Sequence, residues 1–225
     1  METLFDQYKE LNINGSLICL EQVEDIYSYF CYPTNAKAIG FEGSIMYCFI
    51  EPYGEMVFAC NPDTCADVFV YPLARTFEDF MRLILACGST NPIEQIIWMD
   101  KDKFEKHLKE EEAIRTEEQK ATLSYLETEL EISPIDNPYD YVKELQSRFD
   151  NSGIEYSDEY YDVFKFSGRN TSNLLQLTVE LCTADTMNHY DQVISYMVFG
   201  GVPYYLSMLE STKSLAQRTL NSSAN

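Results

Sequence analysis

The spacing of apolar residues changes along this chain, and each change marks a different element. In residues 1–15, Leu4, Phe5, Tyr8 and Leu11 recur at helical spacing and Asn14-Gly15 stops the run, which predicts an N-terminal helix. A second short helix is expected near 20–30, broken by Pro33. The period then shortens. Residues 44–51 (SIMYCFIE), 56–60 (MVFAC) and 68–73 (VFVYPL) are continuous apolar runs separated by the turn signals Pro52-Tyr53-Gly54-Glu55 and Asn61-Pro62-Asp63. Three strands joined by short turns make an antiparallel meander. Pro72 has no N–H to donate, so it predicts an edge position or the end of its strand.

Helical spacing returns at Thr76. Phe77, Phe80, Met81, Ile84 and Leu85 form one apolar stripe, with Thr76 as the cap, Asp79 three residues on and Gly88 as the stop. This helix is expected to pack on the sheet. Asn91-Pro92 starts another, with Ile93, Ile96 and Ile97 facing in and Trp98 closing it. Residues 100–131 read as a charged helical stretch, with Phe104 and Leu108, then Leu123, Leu126 and Leu130, as its apolar positions; Pro134 ends it. Asn137-Pro138 begins a helix to about 150, with Tyr141, Val142, Leu145 and Phe149 inward. Residues 160–166 alternate weakly like a strand, 174–182 fit strand or helix equally, and Gly200-Gly201 marks a turn. The fold class read from these patterns is α+β: an antiparallel or mixed sheet flanked by helices over 1–108, a charged bridging helix over 109–135, and a mostly helical C-terminal extension over 136–225.

Charge narrows the function. With 37 acidic and 16 basic residues the chain carries −21 at neutral pH. Such a surface repels phosphate backbones and anionic membranes, so the expected partner is neither nucleic acid nor membrane. It attracts a basic protein and speeds its association; solubility alone is an equally good reading of the same charge. No run of about 18 apolar residues occurs and residues 1–9 lack an apolar signal core, so a cytoplasmic location is expected. The seven cysteines are odd in number, and no pair has C-x-x-C spacing. They are expected to be reduced and free of metal, as small buried hydrophobes.

Catalytic chemistry finds little footing. There is no phosphate-binding loop, no G-x-S-x-G elbow and no H-E-x-x-H. A Cys or Ser nucleophile needs a base, usually histidine. His107 reads as a surface residue of the charged helix, and His189, in MNHYD, is the one histidine around which an enzyme site is conceivable. No cofactor is implied. Acid pairs such as Asp100/Asp102 and Asp158/Glu159 arise by chance in so acidic a chain, and Tyr156, Tyr160 and Tyr161 fit a binding face or a core edge equally.

Residues 40–87 carry a resemblance. The apolar strand, the turn with Gly54, the second strand in MVFA and the phrase Leu73-Ala74-Arg75-Thr76-Phe77-Glu78-Asp79-Phe80 resemble the SUKH superfamily, which includes yeast glucan-synthesis regulators and bacterial immunity proteins. The N-terminal helix ending in Asn14-Gly15 is similar to the family's lead-in, so the resemblance covers about 1–108. It implies a sheet with helices around it and a non-catalytic, protein-binding role. For a bacterial member it implies neutralisation of a secreted toxin domain, often a nuclease with a basic cleft; the alternative is a regulatory scaffold with no toxin. The acids expected to meet a basic partner are Glu51, Glu55, Asp63 and Asp67 at the sheet's turns, and Glu110, Glu111, Glu112, Glu117 and Glu118 on the bridging helix.

Overall fold

A computed structural model describes residues 3–22, 28–64 and 68–164. Residues 174–182, Gly200-Gly201 and His189 lie outside them. Met1–Ser157 form one compact unit and Asp158–Asn225 a second.

The first unit is α+β, built on a four-stranded antiparallel sheet in the order β1 (Ala36–Glu42), β2 (Ile45–Ile50), β3 (Val57–Cys60), β4 (Val70–Ala74). The three expected strands are there, and a fourth, β1, precedes them. Helix α1 (Leu4–Glu10) opens the chain with a capping box between Thr3 and Asp6. The helix expected near 20–30 is corrected at its start: Glu21 is extended and exchanges backbone hydrogen bonds with Phe41 of β1, each 2.8 Å. Residues 23–27 lie outside the described ones.

Both faces of the sheet are covered, which is why its strands read as unbroken apolar runs and not as alternation. One face carries Ile39, Tyr47, Val57, Ala59, Tyr71 and Leu73 into the main core. Helix α2 (Phe77–Cys87) lies across it: Phe77 meets Phe49 at 6.2 Å between ring centroids and Phe80 meets Tyr47 at 5.7 Å. Since Phe49 precedes the β2–β3 turn and Tyr47 lies nearer the start of β2, α2 runs toward the sheet end that holds the β1–β2 turn. The other face buries Met46, Cys48, Ile50, Phe58 and Cys60, with Tyr53, Phe58 and Phe149 in mutual ring contact at 5.1–5.3 Å.

Pro72 stands on the edge strand β4, as expected, paired with Phe58. That edge is covered by α6 (Pro138–Ser147), whose Gln146 amide donates to the Pro72 carbonyl at 3.3 Å, while the Arg75 N–H donates to Tyr141 Oη at 2.9 Å. Covering an edge strand removes a site for unwanted strand pairing.

After α3 (Thr90–Gln95), the single bridging helix expected over 109–135 is corrected to two: α4 (Lys101–Ile114) and α5 (Glu117–Glu129). Arg115, at φ −55° and ψ 124°, breaks the helical path, and Thr116 restarts it by accepting from the Gln119 N–H at 3.1 Å. Neither helix merely bridges. Phe104, Leu123, Leu126 and Leu130 are buried in the same core as the sheet and α2, so residues 109–157 pack with 1–108 in one unit.

The second unit is described only at its start. The stretch 160–166, read as a weak strand, is corrected over its described residues 160–164, which lie in helix α7 (Asp158–Phe164). No helix among the described residues is long and apolar enough to cross a membrane.

Candidate functional site

Strand direction sorts the nine candidate acids. Glu51 and Glu55, both exposed, lie in the β2–β3 connection. Asp63, also exposed, lies in the β3–β4 connection, at the other end of the sheet. Five residue steps of β2 separate the two turns, about 17 Å at about 3.4 Å per residue. The turn acids therefore do not form one platform. Asp67 lies outside the described residues.

The helix acids come together at the corner where α4 meets α5. Glu110, Glu112, Glu117 and Glu118 are exposed and Glu111 is half-buried. What anchors the corner is the single arginine between them. Arg115 turns inward over Gly88, and its Nη2 donates to the Cys87 carbonyl at 2.8 Å. Gln119 adds a bond to the Gly88 carbonyl at 3.2 Å. Together they satisfy carbonyls that the end of α2 leaves without helical partners. With Arg115 used inward, the outer surface keeps its acids. Lys106 approaches Glu110 at 3.7 Å, and Lys120 pairs with Glu117 at 2.8 Å, which holds that carboxyl below the usual range.

The corner and Asp63 lie toward the same end of the first unit's sheet. Helix α2 ends there, and hydrogen bonds from the start of α3 tie that end to the end of β1. Thr90 Oγ1 donates to the Cys19 carbonyl at 2.7 Å and lies 3.3 Å from the Glu42 carboxylate; Asn91 Nδ2 donates to that carboxylate at 3.2 Å. Glu42 ends β1. Two residues later Ser44 Oγ donates to Asp63 Oδ2 at 2.9 Å. Asp63 and the glutamates of the α4–α5 corner thus form one acidic end, and Glu51 and Glu55 stand apart at the opposite end.

Sequence reasoning passed over the buried half of this end. Glu94 on α3 is 4% exposed, accepts a bond of 2.6 Å from Asn61 Nδ2 and another from the Tyr71 hydroxyl, and has no cation among these partners. Burial raises its carboxyl above the ordinary value, against the opposing effect of Tyr71 and Asn61. An acid inside the apolar phrase Pro92-Ile93-Glu94-Gln95-Ile96-Ile97 was the available signal. For Arg115 it was the Thr116-Glu117-Glu118-Gln119 capping pattern just after it.

The described thiols bear on nucleophilic chemistry. Burial pushes Cys19 up to about 11 and Cys31 and Cys87 up to about 12, and raises Cys60 as well, so these sulfurs are protonated at neutral pH. Cys48 and Cys60 approach to 3.5 Å between sulfurs, well beyond a covalent bond of about 2.05 Å. His107, read as a surface residue, is half-buried with its Nε2 shielded. Comparison with protein-family models, with curated proteins and with solved structures finds no match.

Proposed function

We propose that this chain is a non-catalytic binding module of the SUKH kind whose acidic end receives a basic protein. Its role is that of an immunity-type protein that neutralises a toxin domain by covering a positively charged active cleft. The observation that carries the reading is the convergence at one end of Asp63, Glu110, Glu111, Glu112, Glu117 and Glu118, on elements fixed to the core, with Arg115 turned inward. A nuclease-type toxin must hold phosphates and so presents a basic cleft. A rigid acidic surface matches such a cleft, steers the encounter and excludes the substrate from the same groove. The protonated state of Cys19, Cys31, Cys60 and Cys87 speaks for binding over nucleophilic catalysis by these thiols.

The experiment is capture of the partner from the host cell with the intact chain, followed by inhibition. A captured protein that is basic, and whose enzymatic activity falls in proportion to bound chain, supports the proposal. A captured partner with an acidic contact face, or one whose activity is indifferent to saturating chain, sinks it.

A further inference from the structure

The exposed Asp63 is tied to the protein interior by a continuous chain of hydrogen bonds. Glu94, buried on α3, accepts from Asn61 Nδ2 at 2.6 Å. Asn61, itself 7% exposed, uses its other side-chain atom to accept from the Asp63 N–H at 2.9 Å, while its own N–H donates to the Phe69 carbonyl at 2.8 Å across the mouth of the β3–β4 loop. Asp63 then accepts from Ser44 Oγ at 2.9 Å, and the Ser44 carbonyl accepts from Tyr32 Oη. The Tyr71 hydroxyl of β4 holds the same Glu94 oxygen that Asn61 uses.

We infer that Glu94 is the positioning residue for Asp63: by fixing the Asn61 amide it sets Asp63, at the start of the β3–β4 connection, in its contact geometry before any partner arrives. The significance for binding rests on the acidic-end reading, but the positioning itself is a property of the free protein. The Glu94 carboxyl does more than fill space: an apolar side chain of similar volume would leave the buried Asn61 amide and Tyr71 hydroxyl without their common acceptor. Its presence orients two donors from two different elements, and one of them, the Asn61 amide, also receives the Asp63 N–H. An amide bonded to a fixed side-chain acceptor exchanges slowly, and loosening the acceptor speeds it. Pre-setting a loop removes an ordering cost from association.

The test is amide hydrogen exchange read by NMR on the intact chain, at Asp63 and, as a control, at Leu126 in α5. Glu94→Met keeps volume and removes the acceptor; it is expected to speed exchange at Asp63 about tenfold and leave Leu126 unchanged. Glu94→Gln keeps an oxygen that accepts from Asn61 and is expected to restore the slow rate. Asn61→Ala sets the rate for a fully broken link, and its Asp63 should match that of Glu94→Met. The inference is overturned if Glu94→Met leaves Asp63 exchange as in the original protein, if Glu94→Gln is as fast as Glu94→Met, or if Leu126 speeds in parallel with Asp63, since the last means loss of the fold and not of one loop. Loss of partner binding with slow Asp63 exchange retained would count against the acidic-end reading and leave the positioning intact.

Discussion

Gly88 joins the fold to the acidic end, and replacing it by alanine probes both. It caps α2 at φ +92°, a left-handed conformation that costs a side chain about 1–2 kcal/mol. A Cβ there would also lie 2.5 Å from the Arg115 guanidinium. The guanidinium is the far end of a flexible side chain, so it moves away at small steric cost. It takes with it the 2.8 Å bond to the Cys87 carbonyl. Hydrogen bonds from charged groups contribute about 1.5–3 kcal/mol, and the half-exposed Arg115 recovers part of this in water, which favours the lower figure. Gly88→Ala should therefore cost about 3 kcal/mol and Arg115→Ala about 1.5 kcal/mol, by urea unfolding at fixed pH. Because the first substitution already expels Arg115, the double variant should also cost about 3 kcal/mol, and the coupling should be about 1.5 kcal/mol. Additive costs within about 0.5 kcal/mol would show that Arg115 does not hold the corner to α2.

Other outcomes follow from the same geometry. Phe80 is fully buried against Tyr47 and Phe77, so Phe80→Ala should cost about 3–5 kcal/mol in chemical denaturation; a cost below about 1 kcal/mol would contradict its place under the sheet. The Glu94 carboxyl binds its proton more tightly folded than unfolded, so its contribution favours the fold at acid pH and is lost as pH rises through its raised folded value. Glu94→Gln should remove that component, so the stability difference between variant and original should change with pH just above the ordinary carboxylate value; parallel curves would refute the assignment. All seven cysteines should alkylate in denaturant without reductant, read by mass, and a shortfall of two would reveal a disulfide.

The sequence made some of this legible for identifiable reasons. The α2 stripe was unambiguous because Phe77, Phe80, Met81, Ile84 and Leu85 repeat over three turns, and all five are buried. The Thr76 cap is real, with its hydroxyl accepting from the Asp79 N–H at 3.1 Å, but the Asp79 carboxylate bonds Tyr141 and Arg82 and does not close a capping box. Strand β1 escaped notice because AKAIGFE offers few large apolar residues, and its bulge at Ile39 breaks the alternation that would have marked it. The acids were found by type, but their grouping was not. The separation of Glu55 from Asp63 depends on strand direction, and the union of Asp63 with Glu112 and Glu118 depends on the course of α2 and the break at Arg115. No local pattern encodes either. The Glu94–Asn61 pair spans 33 residues and becomes visible only when β3 and α3 are packed.

The most direct measurement of the central claim is the association rate of the captured partner with charge-reversed variants at both ends of the sheet. Screening limits surface charges to about 8 Å at physiological ionic strength, so steering by the acidic end should weaken as salt is raised. Glu112→Lys with Glu118→Lys should slow association about tenfold at low salt and change dissociation little, whereas Glu51→Lys with Glu55→Lys, the same change in net charge at the opposite end, should slow it about twofold or less. Equal slowing by both pairs, or a rate indifferent to salt and to either reversal, would contradict a binding surface at the acidic end.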